Sequence, residues 1–362
     1  MLQQKLIIKI LGGFISKALL KKKIKNNKEE IMAVYTKLNF EQINDFLTKN
    51  YNIGSLEDFK EIVAGIDNSN YIIQTNQDKF IFTIFESRIK KEDLPFFMNL
   101  KNHLSSQNVS CPKPIFNNNK KIISDVGGKS ASIVSFLSGV TLLPQKNGLY
   151  NNINNKHCSQ IGEITAKMQQ YGVNFSKNRV NDLNFSHLKK LFNKIDNKIE
   201  DYRPGLKKEI TKYIDFLDQE WDLNLPSGPC HLDLFPDNVF FDKNNNLSGV
   251  IDFYFAANDL FVYDLAININ AWCFDGDNKF CQEKYDSLLD SYQEIQKLTQ
   301  KEKTFLPTAL LCASLRFLLT RFYDYFNTPK DSLVNIKDPD EYLEKIRFFS
   351  GHFHEQTQHK QI

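Results

Sequence analysis

Alternating apolar and polar positions predict a β-meander in the first third of the chain. Between residues 58 and 86 the runs KEIVAG, NYIIQT and KFIFTIFE are separated by the polar segments IDNS and NQD, which is the spacing of short strands joined by turns. Side chains of a strand alternate between its two faces, so Phe80, Phe82 and Ile84 of the last run share one face. Its other face is also largely apolar, and this run is therefore predicted to be an interior strand.

A helix and two more short strands are predicted to complete this sheet. Apolar residues at helical spacing mark an amphipathic helix over 91–105, with one face suited to pack on the sheet. The CPKP sequence at 111–114 ends it, and short apolar runs follow at 121–125 and 130–137. Because the SGV that follows Leu137 is a natural exit from a sheet, we place the end of the first lobe there.

Helical periodicity dominates the chain beyond residue 137. It predicts six helices, at 156–171, 183–200, 206–221, 260–272, 277–297 and 301–325. Between the third and the fourth, an unlike segment holds two short strands joined by an Asn-rich turn. Strands followed by helices predict an α+β fold. With acidic loops at the seam, the order indicates a protein-kinase-like two-lobed fold: an N-terminal antiparallel β-sheet lobe with one packed helix and a C-terminal, mainly helical lobe.

Length and composition divide the chain into four segments. Its 362 residues exceed the size of one average core. We expect an N-terminal extension at 1–31, a nucleotide-binding sheet lobe at 32–137, a catalytic and substrate-binding helical lobe at 138–351, and a polar tail at 352–362. The tail contains HFHEQTQH, whose histidines we expect to be solvated side chains rather than metal ligands.

The first 31 residues form a basic amphipathic segment. Eight lysines stand against Glu29 and Glu30, and the apolar positions share one helical face that would make weak contact with an anionic membrane surface. A signal peptide is disfavoured because Lys9 and Lys17 interrupt the apolar run, and no run reaches the roughly 18 apolar residues of a membrane span. The alternative is that this segment is dispensable and Met32 is the functional start.

Composition and charge exclude several classes of partner. Apolar residues at 41% and aromatic residues at 13% are typical of a folded globular protein. The net charge of +3 comes from the basic extension, and the rest of the chain is near neutral or slightly acidic. The aromatic residues lack an interleaved basic stripe, so no nucleic-acid partner is expected. Six scattered cysteines without a CxxC pair indicate reduced thiols in the cytoplasm rather than disulfides or a zinc site.

The sequence HLDLFPDN has the spacing of a phosphoryl-transfer loop. His231, Asp233 and Asn238 fit HxDxxxxN, and Asp252 follows in IDF after one short hairpin. Phosphoryl transfer needs a group that orients the attacking hydroxyl and accepts its proton, and oxygen ligands that hold Mg²⁺ against the phosphates. We assign the first role to Asp233 and the metal to Asn238 and Asp252, with His231 bracing the loop. The competing interpretation is an ordinary turn rich in Asp, Asn and Pro.

Beyond this motif, the chain resembles a known family. CHLDLFPDNVFF and GVIDFYFAANDLFVYDLAININAWCFD resemble the homoserine kinases of the aminoglycoside-phosphotransferase superfamily, and so, in order and spacing, do AVYTKL, GIDNSNYII, FTIFE, LRFLLTRFYDYFN and KDPDEYLEKIRFF. The resemblance covers residues 32–351. It implies a cytoplasmic enzyme that uses Mg²⁺ and transfers the γ-phosphate of ATP to the hydroxyl of L-homoserine. The product would be O-phospho-L-homoserine, a step toward threonine.

Two departures from the kinase pattern concern the nucleotide. GIDNSN has a single glycine, Gly65, in place of a GxGxxG run, so phosphate binding is expected to depend on amides around 68–70 and on hydroxyl or amide side chains. A plain hairpin turn is the alternative. The strand lysine of protein kinases aligns near Thr83, and Lys79 lies roughly 13 Å away along the strand, which leaves Arg88 or Lys90 as substitutes. The residues expected to contact ATP are Gly65, Asn68, Ser69, Asn70, Thr83, Ser135 and Leu137.

An amino-acid acceptor needs a cation for its carboxylate and an acid or a carbonyl for its ammonium group. Arg316 and Arg321 are the candidates for the carboxylate, but five positions on a helix point them roughly 140° apart, so they cannot easily share it. Arg316 lies in an apolar run, where an unpaired charge is costly. Its partner is therefore either the substrate or an internal acid such as Asp264. Asp259 is the candidate for the ammonium group.

Two other functions stay open at this point. Another small-molecule kinase of the same fold would act on choline, methylthioribose or an aminoglycoside, and a pseudokinase would bind the nucleotide without turnover. Rates with a panel of acceptors distinguish another small-molecule kinase from a homoserine kinase. A measurement of Mg·ATP-dependent phosphate transfer distinguishes a pseudokinase from both. The sequence makes no prediction of the oligomeric state.

Overall fold

The computed structural model describes residues 36–62, 68–86, 89–145, 148–329 and 336–359, with the backbone only for 352–359. The basic extension at 1–31, Gly65 and Arg88 lie outside these residues, so the predictions made for them stay predictions. The same holds for the side chains of the histidine-rich segment.

An antiparallel sheet of five strands forms the N-terminal part. Its strands are β1 (Leu56–Ile62), β2 (Asn68–Thr75), β3 (Lys79–Phe85), β4 (Ser124–Val126) and β5 (Lys129–Ser135), in the spatial order β1-β2-β3-β5-β4. The predicted meander is confirmed, although β1 begins at Leu56, before the KEIVAG run. The interior position of β3 is also confirmed, because Phe82 pairs with Tyr71 of β2 on one side and with Ile133 of β5 on the other.

Two helices, rather than the single one predicted, cover the two faces of this sheet. They are α1 (Phe40–Asn50) and α2 (Leu94–Ser106). Helix α1 begins with a reciprocal capping box between Asn39 and Gln42, and Phe46 stacks on Phe82 with the ring centroids 5.0 Å apart. On the opposite face, Met98 of α2 packs in one apolar cluster with Phe85. The prediction missed α1 because its apolar positions are few and its packing partner lies in β3.

Seven helices make up most of the C-terminal part within the described residues. They are α3 (Asn155–Gly172), α4 (Phe185–Tyr202), α5 (Leu206–Glu220), α6 (Phe261–Trp272), α7 (Gln282–Ile295), α8 (Gln300–Asn327) and α9 (Asp340–His359). Six match the periodicity. Helix α7 begins later than predicted because Phe274 and Phe280 form a β-bridge ahead of it. The backbone of α9 continues through most of the segment expected to be a tail.

Helices α6 and α8 lie at the centre of the C-terminal core. Every residue of α6 is buried, and its Asn270 receives a hydrogen bond from Ser314 of α8 (2.7 Å) and donates one to the Leu310 carbonyl (3.2 Å). Helix α8 is long and apolar enough to cross a membrane, but 89% of its most apolar window is buried inside the fold. It is therefore the core helix of the C-terminal part.

Two small β-ribbons interrupt the helices, and the HLDLFPDN and IDF residues lie in the segments between their strands. Strand β6 (Ser227–Cys230) pairs with β9 (Ala257–Leu260), and β7 (Val239–Phe241) pairs with β8 (Leu247–Val250). The predicted pair of strands with an Asn-rich turn is the β7–β8 hairpin. Its turn is closed by the Asp242 carboxylate, which accepts the backbone N–H of Asn244 (2.7 Å) and of Asn246 (2.9 Å). The β6–β9 ribbon was not predicted.

Candidate active site

The HLDLFPDN loop leaves β6 and is tied by His231 to the end of β8. The His231 side chain is 2% exposed; its Nε2 lies 2.9 Å from the Ile251 carbonyl oxygen, and its Nδ1 lies 3.3 Å from the backbone N of Asp233. The second contact needs Nδ1 as the acceptor, so Nε2 carries the proton and donates to Ile251. Burial lowers the pKa of His231 to about 4, which keeps this ring neutral near pH 7.

Asp233, Asn238 and Asp252 come together around the β7–β8 hairpin. A short 3₁₀ turn ends at Asn238 and aims its amide nitrogen at Asp233, 2.8 Å from the carbonyl oxygen and 3.2 Å from carboxylate Oδ2. The Asn238 carbonyl accepts the backbone N–H of Ile251 at 2.9 Å, which places the adjacent Asp252 beside Asn238. Asp252 takes a left-handed backbone conformation, with φ +63°. The IDF segment thus lies beside the end of HLDLFPDN, although Asp233 and Asp252 are 19 positions apart.

Helix α6 holds the loop from behind. Leu232, next to Asp233, has φ +62°, a conformation that costs a residue with a branched side chain energy unless its surroundings hold it. Its N–H donates to Asp264 Oδ1 at 2.8 Å, and Gln169 donates to Asp264 Oδ2 at 3.2 Å. The indole N–H of Trp272 donates to the Leu234 carbonyl at 2.7 Å. Asp264 is therefore a structural group that fixes the HLDLFPDN loop.

Removing this support is expected to weaken both the fold and catalysis. In Asp264→Ala the buried N–H of Leu232 loses its acceptor, and the amide of Gln169 loses one of two acceptors and keeps the Phe261 carbonyl. This should lower the free energy of unfolding by about 1–3 kcal/mol. Because Asp233 would be less well positioned, kcat should fall by about tenfold or more. Urea denaturation and steady-state rates measure the two effects. Asp290→Ala, at an exposed position of α7, is the control, and equal stability of both variants would contradict the proposed support.

The electrostatic environment of Asp233 suits it to accept a proton. Burial raises the pKa of Asp233 to about 6; the positive charges of Arg316 and Lys337 oppose this rise, and Asp237 adds to it. A general base works best when its pKa lies near the working pH, because it is then mostly deprotonated and still basic. The carboxylate of Asp233 meets both conditions near pH 7.

Several side chains predicted to contact ATP are engaged within the sheet. Ser69 donates to Glu86 Oε1 at 2.8 Å, Asn68 Oδ1 accepts the backbone N–H of Glu86 at 3.3 Å, and Thr83 donates to Asn70 Oδ1 at 2.7 Å. Asn68, Ser69 and Thr83 are buried. These contacts tie β2 to β3 and to Glu86 just after it, so these side chains are engaged within the fold.

The two predicted residues at the end of β5 lie near the seam of the lobes. Ser135 accepts the backbone N–H of Lys113 at 2.9 Å. Leu137 packs on Gly249 of β8 so closely that a Cβ there would lie 2.6 Å from Leu137 Cδ1. A larger residue at 249 would displace the Leu137 side chain from this contact, which joins the first lobe to the hairpin that precedes Asp252.

The cations near the nucleotide side are arranged differently from the expectation. Lys90 lies 3.7 Å from Asp182, in an exposed ion pair. Lys101 of α2 was not predicted as a functional residue; it is 6% exposed, and its ammonium lies 5.5 Å from the centre of the Tyr254 ring. Burial lowers the pKa of Lys101 to about 8, against the charges of Cys111 and Asp252. A lysine among the apolar positions of a predicted amphipathic helix is the one sequence signal that could have identified Lys101.

The three candidates for binding the acceptor are placed in three different environments. Arg316 is 1% exposed, and its Nε and Nη1 have no hydrogen-bond partner in the part of the chain that the structure describes, so Asp264 is not its partner. Arg321 pairs with Glu341 at 2.6 Å. Both oxygens of Asp259 accept hydrogen bonds, Oδ2 from Asn181 (2.6 Å) and Oδ1 from its neighbouring backbone N–H (2.8 Å). Asp259 is thus already satisfied by the fold.

A comparison with protein-family models identifies the class. The model described as the phosphotransferase enzyme family matches residues 58–298, a span that contains the HLDLFPDN loop and Asp252. The chain belongs to this family.

Two curated relatives show which kind of phosphotransferase the chain is similar to. The chain is 41% identical over 317 residues to a homoserine kinase of Rhizobium rhizogenes, covering 88% of this chain and 96% of that protein. It is 43% identical over 320 residues to a homoserine kinase of Bartonella henselae, covering 88% of this chain and 97% of the relative.

Solved structures establish the fold. A spectinomycin phosphotransferase in complex with ADP and spectinomycin is 13% identical with a TM-score of 0.59, covering 87% of this chain and 95% of the other. An amicoumacin kinase in complex with AMP-PNP, Ca²⁺ and Ami is 16% identical with a TM-score of 0.62, covering 86% of this chain and 92% of the other. The predicted protein-kinase-like, two-lobed α+β fold is confirmed.

Proposed function

We propose that the chain is a homoserine kinase that transfers the γ-phosphoryl group of ATP to the hydroxyl of L-homoserine and releases ADP and O-phospho-L-homoserine. Relatives of that name match at 41% and 43% identity over 88% of the chain. The observation that carries the proposal is the Asn238 amide, which donates to Asp233 and stands beside Asp252 at the end of the hairpin. This arrangement supplies a base and two oxygen ligands in one place.

In this proposal Asp233 orients the hydroxyl of the acceptor and takes its proton. The Asn238 amide fixes carboxylate Oδ2, and the tie between His231 and Ile251 fixes the loop. As the hydroxyl oxygen bonds to the γ-phosphorus, the bond from that phosphorus to the bridging oxygen breaks and its electrons leave with ADP. The proton resides on Asp233 until the product leaves. Positioning and charge stabilisation account for most of the rate in such reactions.

Asn238 and Asp252 are the proposed ligands of Mg²⁺. The amide nitrogen of Asn238 is spent on Asp233, so its amide oxygen is the atom left for a cation, and the carboxylate of Asp252 is a second hard donor. The Mg²⁺ that accompanies ATP would neutralise charge on the phosphates during transfer. A related kinase structure contains AMP-PNP and Ca²⁺, which supports the pairing of a nucleotide with a divalent ion.

For the nucleotide we propose backbone contacts from the 68–70 segment and from the seam at Ser135 and Leu137. The side chains of Asn68, Ser69, Asn70 and Thr83 then act indirectly, by fixing β2 against β3. We place the reaction in the cytoplasm, as part of threonine biosynthesis. All six cysteines are free and five of them are buried, as suits a protein that works in a reducing compartment.

A panel of acceptors tests the proposed substrate. With Mg·ATP, kcat/KM for L-homoserine should exceed that for choline, methylthioribose or kanamycin by about 100-fold or more, because a site built to bind polar groups rejects molecules that leave them unpaired. Coupled detection of ADP measures the rate, and ³¹P NMR identifies the phosphorylated product. A faster reaction with another acceptor would replace homoserine but keep the mechanism. Nucleotide binding without any transfer would support the pseudokinase alternative.

A further inference from the structure

A small cleft beside the HLDLFPDN loop is lined by charged side chains to which the proposed mechanism gives no role. Among the residues that line it are Phe235, Asp275, Arg321, Lys337, Glu341 and Lys345. Phe235 belongs to HLDLFPDN and lies two residues after Asp233. The cleft therefore lies along the loop that carries the proposed base, and residues of α8 and of the first turns of α9 also line it.

One wall of the cleft is a fixed group with excess positive charge. Glu341 accepts from Arg321 at 2.6 Å and from Lys345 at 2.8 Å. Arg321 also donates to the Asp338 carbonyl (2.8 Å) and Lys345 to the Asn270 carbonyl (2.9 Å). Burial opposes the charge on Glu341, but Lys345 and Arg321 hold its pKa at about 2. Two cations share one carboxylate, so the group carries a net positive charge while Lys345 is protonated; burial lowers the pKa of Lys345, and Glu341 opposes this.

Lys337 adds a second positive charge close to the proposed base. Its ammonium lies 5.4 Å from the centre of the Phe235 ring, and its charge acts on Asp233. Within the described residues no carboxylate lies at ion-pair distance from Lys337. The remaining acid of the cleft, Asp275, is already paired with Lys284 at 2.6 Å. The cleft is therefore arranged to attract an anion.

Two buried residues near the cleft also carry donors that lack partners. The hydroxyl of Tyr342 and the Nε and Nη1 of Arg316 have no hydrogen bond in the described part of the chain. Tyr342 is fully buried, and the Arg321 guanidinium lies 4.5 Å from the centre of the Tyr342 ring. The charges of Asp233 and Arg316 act on the Tyr342 hydroxyl. Unsatisfied buried donors in a native fold are uncommon and call for an explanation such as an absent ligand.

We propose that this cleft binds the carboxylate of the amino-acid acceptor, with Lys337 as the contacting cation and the Arg321–Glu341–Lys345 group as the fixed positive wall. The proposal rests on the function proposed above and specifies its substrate-binding residues. In a four-carbon hydroxy amino acid the carboxylate and the hydroxyl lie only about 5 Å apart, so the cation must lie next to Asp233. Lys337 lies over Phe235, two residues after Asp233, and its charge acts on Asp233.

This assignment separates the two arginines considered from the sequence. Arg321 already donates to Glu341 and to the Asp338 carbonyl. It therefore contributes its charge to the positive wall without contacting the substrate carboxylate itself. Arg316 is 1% exposed and lies between the rings of Phe317 and Phe255, at 4.9 and 5.7 Å from their centres. From there its charge favours the ionised form of Asp233, while Lys337 at the surface stays accessible to a substrate.

The test compares two acceptors that differ by the carboxylate alone, L-homoserine and 3-aminopropan-1-ol. The wild type should prefer L-homoserine. In Lys337→Met, kcat/KM for L-homoserine should fall by about tenfold or more, as expected for the loss of a charge-assisted contact, mainly through a higher KM. The rate with 3-aminopropan-1-ol and the KM for ATP should be almost unchanged. Lys337→Arg should keep most of the preference for homoserine.

Lys243→Met, in the exposed turn of the β7–β8 hairpin, is the matched control and should behave as the wild type. An equal loss with both acceptors in Lys337→Met, or no loss with either, would overturn the carboxylate site while homoserine turnover by the wild type upholds the proposed function. A wild type that does not phosphorylate L-homoserine would instead overturn the proposed function itself.

Discussion

Asp233→Asn is expected to lower kcat by about 100-fold or more, with little change in the affinity for ATP. The substitution keeps the size of the side chain and one oxygen, but an amide cannot accept the proton of the attacking hydroxyl, and removal of a general base costs rates of this order. Asn238 donates to the backbone carbonyl and to the carboxylate of Asp233. The substituted side chain at 233 keeps one oxygen acceptor, so part of this local hydrogen bonding would remain. Steady-state kinetics with Mg·ATP and L-homoserine measure the loss, and binding of a fluorescent ATP analogue measures the affinity.

The pH dependence provides a second readout for the same group. Because burial raises the pKa of Asp233 to about 6, the base is protonated below that pH, and kcat/KM should decline as the pH falls through it. The rate should level off above it. Asp215→Asn, an exposed position of α5, should leave both the rate and the pH profile unchanged. Near-normal turnover in Asp233→Asn would remove Asp233 from the mechanism.

Asp252→Asn is expected to produce a loss of similar size, about 100-fold or more in kcat, together with a higher requirement for Mg²⁺. The physical reason is that an amide oxygen is a weaker donor than a carboxylate to a hard divalent cation, and that charge neutralisation at the phosphates contributes strongly to phosphoryl transfer. The measurement is kcat at a series of Mg²⁺ concentrations with fixed ATP. Partial recovery at high Mg²⁺ is the expected signature of a weakened metal ligand.

Asp290→Asn serves as the control for this series, because it removes an acid from an exposed face of α7. Urea denaturation of both variants verifies that any loss of rate does not come from unfolding. A Mg²⁺ dependence identical to that of the wild type would contradict the role of Asp252 as a metal ligand, even if kcat were reduced.

Much of the fold could be predicted because its elements are marked by local patterns. The meander, the central position of β3, and six C-terminal helices follow from spacings of two or between three and four residues, and the structure confirms them. The missed features depend on partners that are remote in the chain. Helix α1 is defined by its packing on β3, and β6 pairs with β9 across the whole HLDLFPDN and hairpin segment.

Reasoning from residue type was less successful for the binding side chains. Ser69 was a plausible phosphate ligand by chemistry, but it donates to Glu86, 17 residues further along the chain. Arg316 and Arg321 look alike in the sequence. They differ in the structure because Glu341, 20 residues beyond Arg321, reaches only that arginine. Lys337, which we propose as the contact of the substrate, was not predicted as a binding residue. It lies in the segment KDPDEYLEKIRFF, which resembles the family.

The sequence by itself determined the order of the elements and the chemical groups for phosphoryl transfer, since HLDLFPDN and IDF are local motifs joined by one hairpin. Only the tertiary structure decided which charged groups are buried, paired or left for a ligand. The reason is physical: periodicity is a property of neighbouring residues, whereas burial, pKa and ion pairing depend on residues brought together from distant parts of the chain. The elevated pKa of Asp233 and the positive cleft beside it are two such results.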